Sequence, residues 1–191
     1  TQNSDPTPIA GNVACVNGQP EGQYSSDNIF ARVYSIPDDR DITCVEVGIE
    51  TNSGTVDQNI EARVLSLSPV TVPPALANTA VLASKTEPVP PGYGPARLAA
   101  TFASPASVLT GDTVIVEYFW DATTPGVDAV GALFPGGNPL GQTGSTYILS
   151  NGCGIADYTD LAAIGFPDQA VVVDYVANAA GASCFSDVTG T

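Results

Sequence analysis

The stretch Asp41-Ile-Thr-Cys-Val-Glu-Val-Gly-Ile-Glu50 decides the fold class. Val45, Val47 and Ile49 alternate with Glu46 and Gly48. A period of two puts apolar side chains on one face of an extended chain, whereas a helix needs them three and four apart. Asn52-Ser53-Gly54 reads as a turn. Beyond it, residues 59–67 repeat the alternation, with Ile60, Ala62 and Val64 on one face and Glu61 and Arg63 on the other. The two runs read as a hairpin. Glu46 and Arg63 would pair across its wet face, a contact worth about 0.2–1 kcal/mol.

Upstream, residues 28–36 form a β run that stops at Pro37-Asp38-Asp39. Downstream, residues 69–95 are Pro-rich and hold a short strand at 81–84. A helix over 75–83 is the weaker reading, because Asn78, Thr79 and Val81 are modest helix formers. Residues 97–103 give another strand, and Ser104-Pro105 begins a turn. Residues 113–120 are apolar on both faces, through Val114, Val116, Tyr118 and Trp120 and through Ile115 and Phe119, which predicts a central strand. Further strands are predicted at 127–133, 145–149 and 169–176, the first two separated by a Gly/Pro loop over 134–144. Residues 160–166 are a turn of helix or an irregular strand. About nine short strands with regular turn signals predict an all-β chain, an antiparallel two-sheet β-sandwich of jelly-roll-like or immunoglobulin-like kind. With no internal repeat and no long linker, the expected organisation is an N-terminal extension (1–14) and a single β-sandwich domain (15–191).

Composition bounds the function. The chain has 191 residues, 20 Asp+Glu against 5 Lys+Arg, no His, and a net charge of −15. Without His there is no Ser-His-Asp or Cys-His catalysis and no imidazole metal site. So few cations give no basic footprint for nucleic acid or anionic lipid. No apolar run approaches the roughly 18 residues of a membrane span, so membrane insertion is not expected. The chain opens on Thr1 rather than Met, as expected of a processed, mature chain. Cys15, Cys44, Cys153 and Cys184 are an even set without a CxxC pair, which reads as two disulfides in an oxidising, extracellular compartment. Four cysteines allow three pairings, and spacing leaves all three open.

Several short segments carry a resemblance: Asn28-Ile-Phe-Ala-Arg-Val-Tyr34, Val45-Glu-Val-Gly-Ile-Glu50, Gly144-Ser-Thr-Tyr147, Cys153-Gly-Ile155 and Ile164-Gly-Phe-Pro167. Their order and spacing resemble an uncharacterised β-sandwich module of secreted, multidomain bacterial surface proteins, over about residues 15 to 176. The resemblance implies that the early Cys pairs with the Cys of Cys-Gly-Ile, hence Cys15–Cys153, leaving Cys44–Cys184. It implies a secreted or cell-surface location and no catalytic residues. The chain departs from the pattern at Ala31, where an aromatic is usual, and over its last fifteen residues.

Three sets of side chains are candidates for function. Asp38, Asp39 and Asp41 share one turn, Asp157 and Asp160 another, and Asp121 and Asp128 flank a third. Calcium needs six to eight oxygens of this kind. Turns favour Asp anyway, and Arg40 sits among the first cluster, so no cofactor is expected, with calcium the alternative. Tyr93 lies among Gly92, Gly94 and Pro95, and with Tyr147 and Tyr158 it is read as exposed and able to stack on sugar. The polar opening segment, through Thr1, Gln2, Asn3, Pro8 and Ile9, is read as a strand donated to a neighbouring copy. Carboxylate pairs arise by chance among twenty acids, and none sits among aromatics, so the chain is not expected to be an enzyme. The leading expectation is an extracellular structural or adhesive subunit that self-associates into a surface assembly or filament. The alternative is a carbohydrate-binding module, with cell-surface or matrix glycans as partners.

Overall fold

In the computed structural model, which describes residues 7–19, 22–122, 131–141 and 144–177, the period-two runs become twelve strands. They are β1 (Val16–Gln19), β2 (Gly22–Ser25), β3 (Asn28–Ser35), β4 (Arg40–Asn52), β5 (Gln58–Leu67), β6 (Thr79–Val89), β7 (Ala96–Val108), β8 (Thr113–Trp120), β9 (Leu133–Pro135), β10 (Tyr147–Ser150), β11 (Ile155–Asp160) and β12 (Val173–Ala177). Three single 3₁₀ turns, Leu76–Asn78, Asn151–Cys153 and Leu161–Ile164, are the helical content among the described residues.

One sheet has six strands in the order β11-β10-β3-β8-β5-β6. The other runs β12-β4-β7, with β9 also paired to β4. All these ladders are antiparallel. The inward positions of both sheets share one core, including Phe30, Tyr118 and Trp120 from the larger sheet and Val45, Val47 and Val173 from the smaller. β8 is flanked by β3 and β5, as its two-sided apolar pattern requires.

The expected hairpin of residues 41–50 and 59–67 does not form. β4 and β5 belong to different sheets, and the connection between them crosses from one to the other. Glu46 therefore meets Arg97 on β7 at 2.6 Å, and Arg63 meets Glu117 on β8 at 2.6 Å. Nor is the outer face of β4 wet: Cys44, Glu46 and Gly48 are all buried. At Gly48 a Cβ would lie 2.7 Å from Gly136 O and 2.9 Å from Val172 Cβ, so only glycine fits beneath that crossing. The weak helix over 75–83 shrinks to Leu76–Asn78 before β6, an eleven-residue strand where four were expected. Ser104-Pro105 is not a turn; β7 runs through it to Val108 with a break in register against β4.

Among the described residues one disulfide is seen, Cys15–Cys153, with Cα atoms 6.0 Å apart, the pairing the resemblance implied. Cys184, half of the other expected pair, lies outside the described residues, as do Thr1, Gln2, Asn3, Asp128 and residues 127–130 of the expected 127–133 strand. The described part of the expected extension is stitched to its own chain. Ile9 and Gly137 exchange backbone hydrogen bonds of 2.8 and 2.9 Å. Gly11 N–H donates to Glu50 Oε2 (2.8 Å), and Cys15 N–H to Asn28 Oδ1 (2.8 Å).

Candidate functional site

At one end of the sandwich the two sheets part. β5 ends at Leu67 and a loop, residues 68–78, leads into β6, while β7 turns into β8 through Leu109–Asp112. β6 closes the larger sheet and β7 the smaller. Where these edges diverge a cleft of about 320 Å³ opens between Ser66, Ser68, Val70, Leu82, Ser107 and the start of β8 at Thr113, with Asp112 on its rim. A second hollow of about 300 Å³, bounded by Asp39, Arg40, Asp41 and Leu109, shares Ser107 with the first.

The acids of this end act as stitches. Asp39 Oδ1 accepts both N–H and Oγ1–H of Thr110, each at 2.8 Å, which holds its carboxyl below the usual range. Ser107 Oγ donates to Asp41 Oδ1 at 2.6 Å, and Arg40 pairs with Asp38. The Asp39 and Asp41 contacts tie the β3–β4 side to the end of β7 and the β7–β8 turn. Asp112 Oδ2 accepts Leu109 N–H at 2.8 Å and closes the latter turn. Each carboxylate serves a different donor, and no three metal-ligating side chains converge among the described residues. The calcium reading of Asp38, Asp39 and Asp41 thus finds three turn and cross-loop contacts instead. Asp157 and Asp160 behave alike, accepting Leu76 N–H (2.8 Å) and Ala162 N–H (2.9 Å).

What remains unspent around the first cleft is hydroxyl and aliphatic. Among the described residues, Ser68 Oγ and Thr113 Oγ1 have no protein partner, and Asp112 keeps Oδ1 open. Of the eleven exposed large hydrophobics among the described residues, three line these hollows: Val70, Leu82 and Leu109. Exposed apolar side chains and solvent-accessible polar groups therefore line the same cleft.

The tyrosines expected to bind sugar lie elsewhere. Tyr147 is 5 % and Tyr158 2 % exposed, so neither can offer a ring face. Both sit in a second core on the outer face of the larger sheet, with Ile29, Leu65, Leu67, Ile115 and Leu149. Tyr158 leaves β11 and reaches over the sheet to β8, where its hydroxyl donates to Glu117 Oε2. Ala31 stands in register between Tyr147 and Glu117, and its small side chain leaves that path open. Burial pushes the Glu117 carboxyl up, against the pull of Arg63 and the Tyr158 hydrogen bond. Tyr93 is half-buried against the core at the opposite end of β6, and its hydroxyl donates to Arg97 O at 2.7 Å. Pro8 is buried and Ile9 is paired to Gly137, so both are committed within their own chain. Ser68, Val70, Leu82 and Thr113 went unrecognised in the sequence. Their one signal is a run of valines and leucines in a Pro-rich loop that lacks alternation.

No family model matches the chain, and no curated protein matches it. Among solved structures it is similar to the crystal structure of the cysteine protease and lectin-like domains of Cwp84, a surface layer associated protein of Clostridium difficile. The TM-score is 0.54 at 15 % identity, over 81 % of this chain and 33 % of that one. The chain thus spans a third of that structure's length, and the likeness is one of fold.

Proposed function

We propose that the chain is a non-catalytic, extracellular adhesive module of a bacterial surface that binds carbohydrate at the open end of its sandwich. The observation that carries this reading is the cleft between β6 and β7, whose lining combines hydroxyls and a carboxylate with exposed aliphatic side chains. Sugars present the same mixture of hydroxyls and C–H surface. The fold likeness to a chain with a lectin-like domain supports the reading, and the disulfide supports the location. The sequence holds no His, so no Ser-His-Asp or Cys-His machinery can be assembled, which supports binding without turnover.

The test is a glycan array that includes bacterial cell-wall polysaccharides, read alongside a hydrolysis assay on each hit. Binding without product release is expected. A silent array refutes carbohydrate recognition, and release of reducing ends refutes a non-catalytic role.

Self-association into a surface assembly is the second reading, and it has less to draw on. The free edge of the larger sheet, β6, carries the chain's one lysine, Lys85, with Pro88 and a register break at Val81–Ala83. These are the devices by which natural sheets avoid edge pairing. β7 has Pro105 and its own register break.

A further inference from the structure

From the chemistry of the cleft's walls we infer that its ligand is a neutral sugar residue bearing a methyl group, as in a 6-deoxyhexose or an N-acetylhexosamine. This rests on the carbohydrate-binding reading and deepens it. Size sets the first limit: about 320 Å³ lies at the low end of ligand pockets, roughly 300–1,000 Å³, room for a terminal residue rather than an extended chain.

Charge sets the second. Asp112 stands on the rim, and Asp39 and Asp41 line the adjoining hollow. Arg40, the cation there, is held by Asp38. A net charge of −15 adds a repulsive field over the whole surface. Uronic acids, sialic acids and phosphorylated or sulphated glycans would meet carboxylates with no cation to receive them.

Wall chemistry sets the third. Among the described residues no aromatic ring lines the cleft, so there is no platform for the flat face of a pyranose. Val70 and Leu82 are instead 56 % and 41 % exposed, aliphatic side chains whose best partner is a methyl group. In the same lining, Ser68 Oγ, Thr113 Oγ1 and Asp112 Oδ1 can share hydrogen bonds with ring hydroxyls. An unsubstituted hexose offers the aliphatic side only its ring C–H groups, without a methyl group to bury.

The experiment is saturation-transfer NMR on the intact chain with L-rhamnose, L-fucose, N-acetylglucosamine, galactose and galacturonic acid, backed by competition against glycan-array hits. The methyl-bearing neutral sugars are expected to bind about tenfold more tightly than galactose, the scale of one methyl group in an apolar pocket. The strongest saturation should fall on the methyl protons, and galacturonic acid should not bind. Leu82→Ser should erase the methyl preference. Asp112→Asn, which keeps an acceptor for Leu109 N–H, should admit galacturonic acid. Equal binding of galactose, binding of galacturonic acid by the unaltered chain, or array binding unchanged in both variants overturns this inference while leaving carbohydrate recognition standing. Absence of any sugar binding, on the array and by NMR, overturns both.

Discussion

Asp27 shows how much one side chain organises. It takes the N–H groups of Asn151 (2.9 Å) and Gly152 (2.8 Å), and so fixes the turn that presents Cys153 to Cys15. Burial works against its charge, but the amides of Gly152 and Asn151 and the side chains of Ser26 and Asn151 outweigh it, and its carboxyl is held below the usual range. Its contribution is therefore complete above the ordinary aspartate range, about pH 4, and is lost as pH falls through the lowered value. Asp27→Ala should cost about 1.5–3 kcal/mol near neutral pH, the scale of hydrogen bonds to a charged group. In urea denaturation that difference should shrink in acid. Glu117 has the opposite sign: burial raises its pKa, so its charge weighs against the fold above that value. Removing its counter-ion, as in Arg63→Met, should cost about 3 kcal/mol, and Arg63→Met/Glu117→Gln, neutral but still an acceptor for the Tyr158 hydroxyl, should recover most of it. Thermal denaturation of the three variants checks this. No residue-level pattern could announce either group. Asp27 looks like any turn aspartate, and Glu117 like the polar member of an alternating strand, until partners far along the chain are in place.

Elements were legible where their own residues decide them. β3, β4, β5 and β8 carry their period in sequence, and β8 advertises its central place through apolar side chains on both faces. Connections were not legible. The turn at Asn52-Ser53-Gly54 looks the same whether the next strand pairs with β4 or crosses to the other sheet, and sequential strands pair only about two-thirds of the time. β6 reads as four residues rather than eleven because Pro88 interrupts it and, of its eleven side chains, Val89 alone is fully buried, which leaves little alternation to see. The Cys15–Cys153 bridge closes a loop of 138 residues between such elements. Cys153→Ser should lower stability by about 2–5 kcal/mol, read as a fall in denaturation midpoint under non-reducing conditions.

For the whole molecule, the imbalance of acids and cations shapes both solubility and the site. The turn acids lie at the rim of the open end, where they stitch loops and screen out anionic ligands. The lysine that offsets them guards β6. With the described N-terminal segment paired to its own chain and both long edges blunted, sedimentation should give a monomer whose mass does not change with concentration. A mass that rises with concentration would restore self-assembly as the primary role. The location of the candidate site was hidden because its members come from β5, the 68–78 loop, β6, β7 and β8, and no spacing along the chain links them. The most direct test of where ligand binds is an amide chemical-shift titration with a glycan selected on the array. The predicted shifts cluster at residues 66–70, 82, 107 and 111–114. Shifts centred instead on the β4–β12 face, or around Tyr93 at the opposite end, would contradict the account.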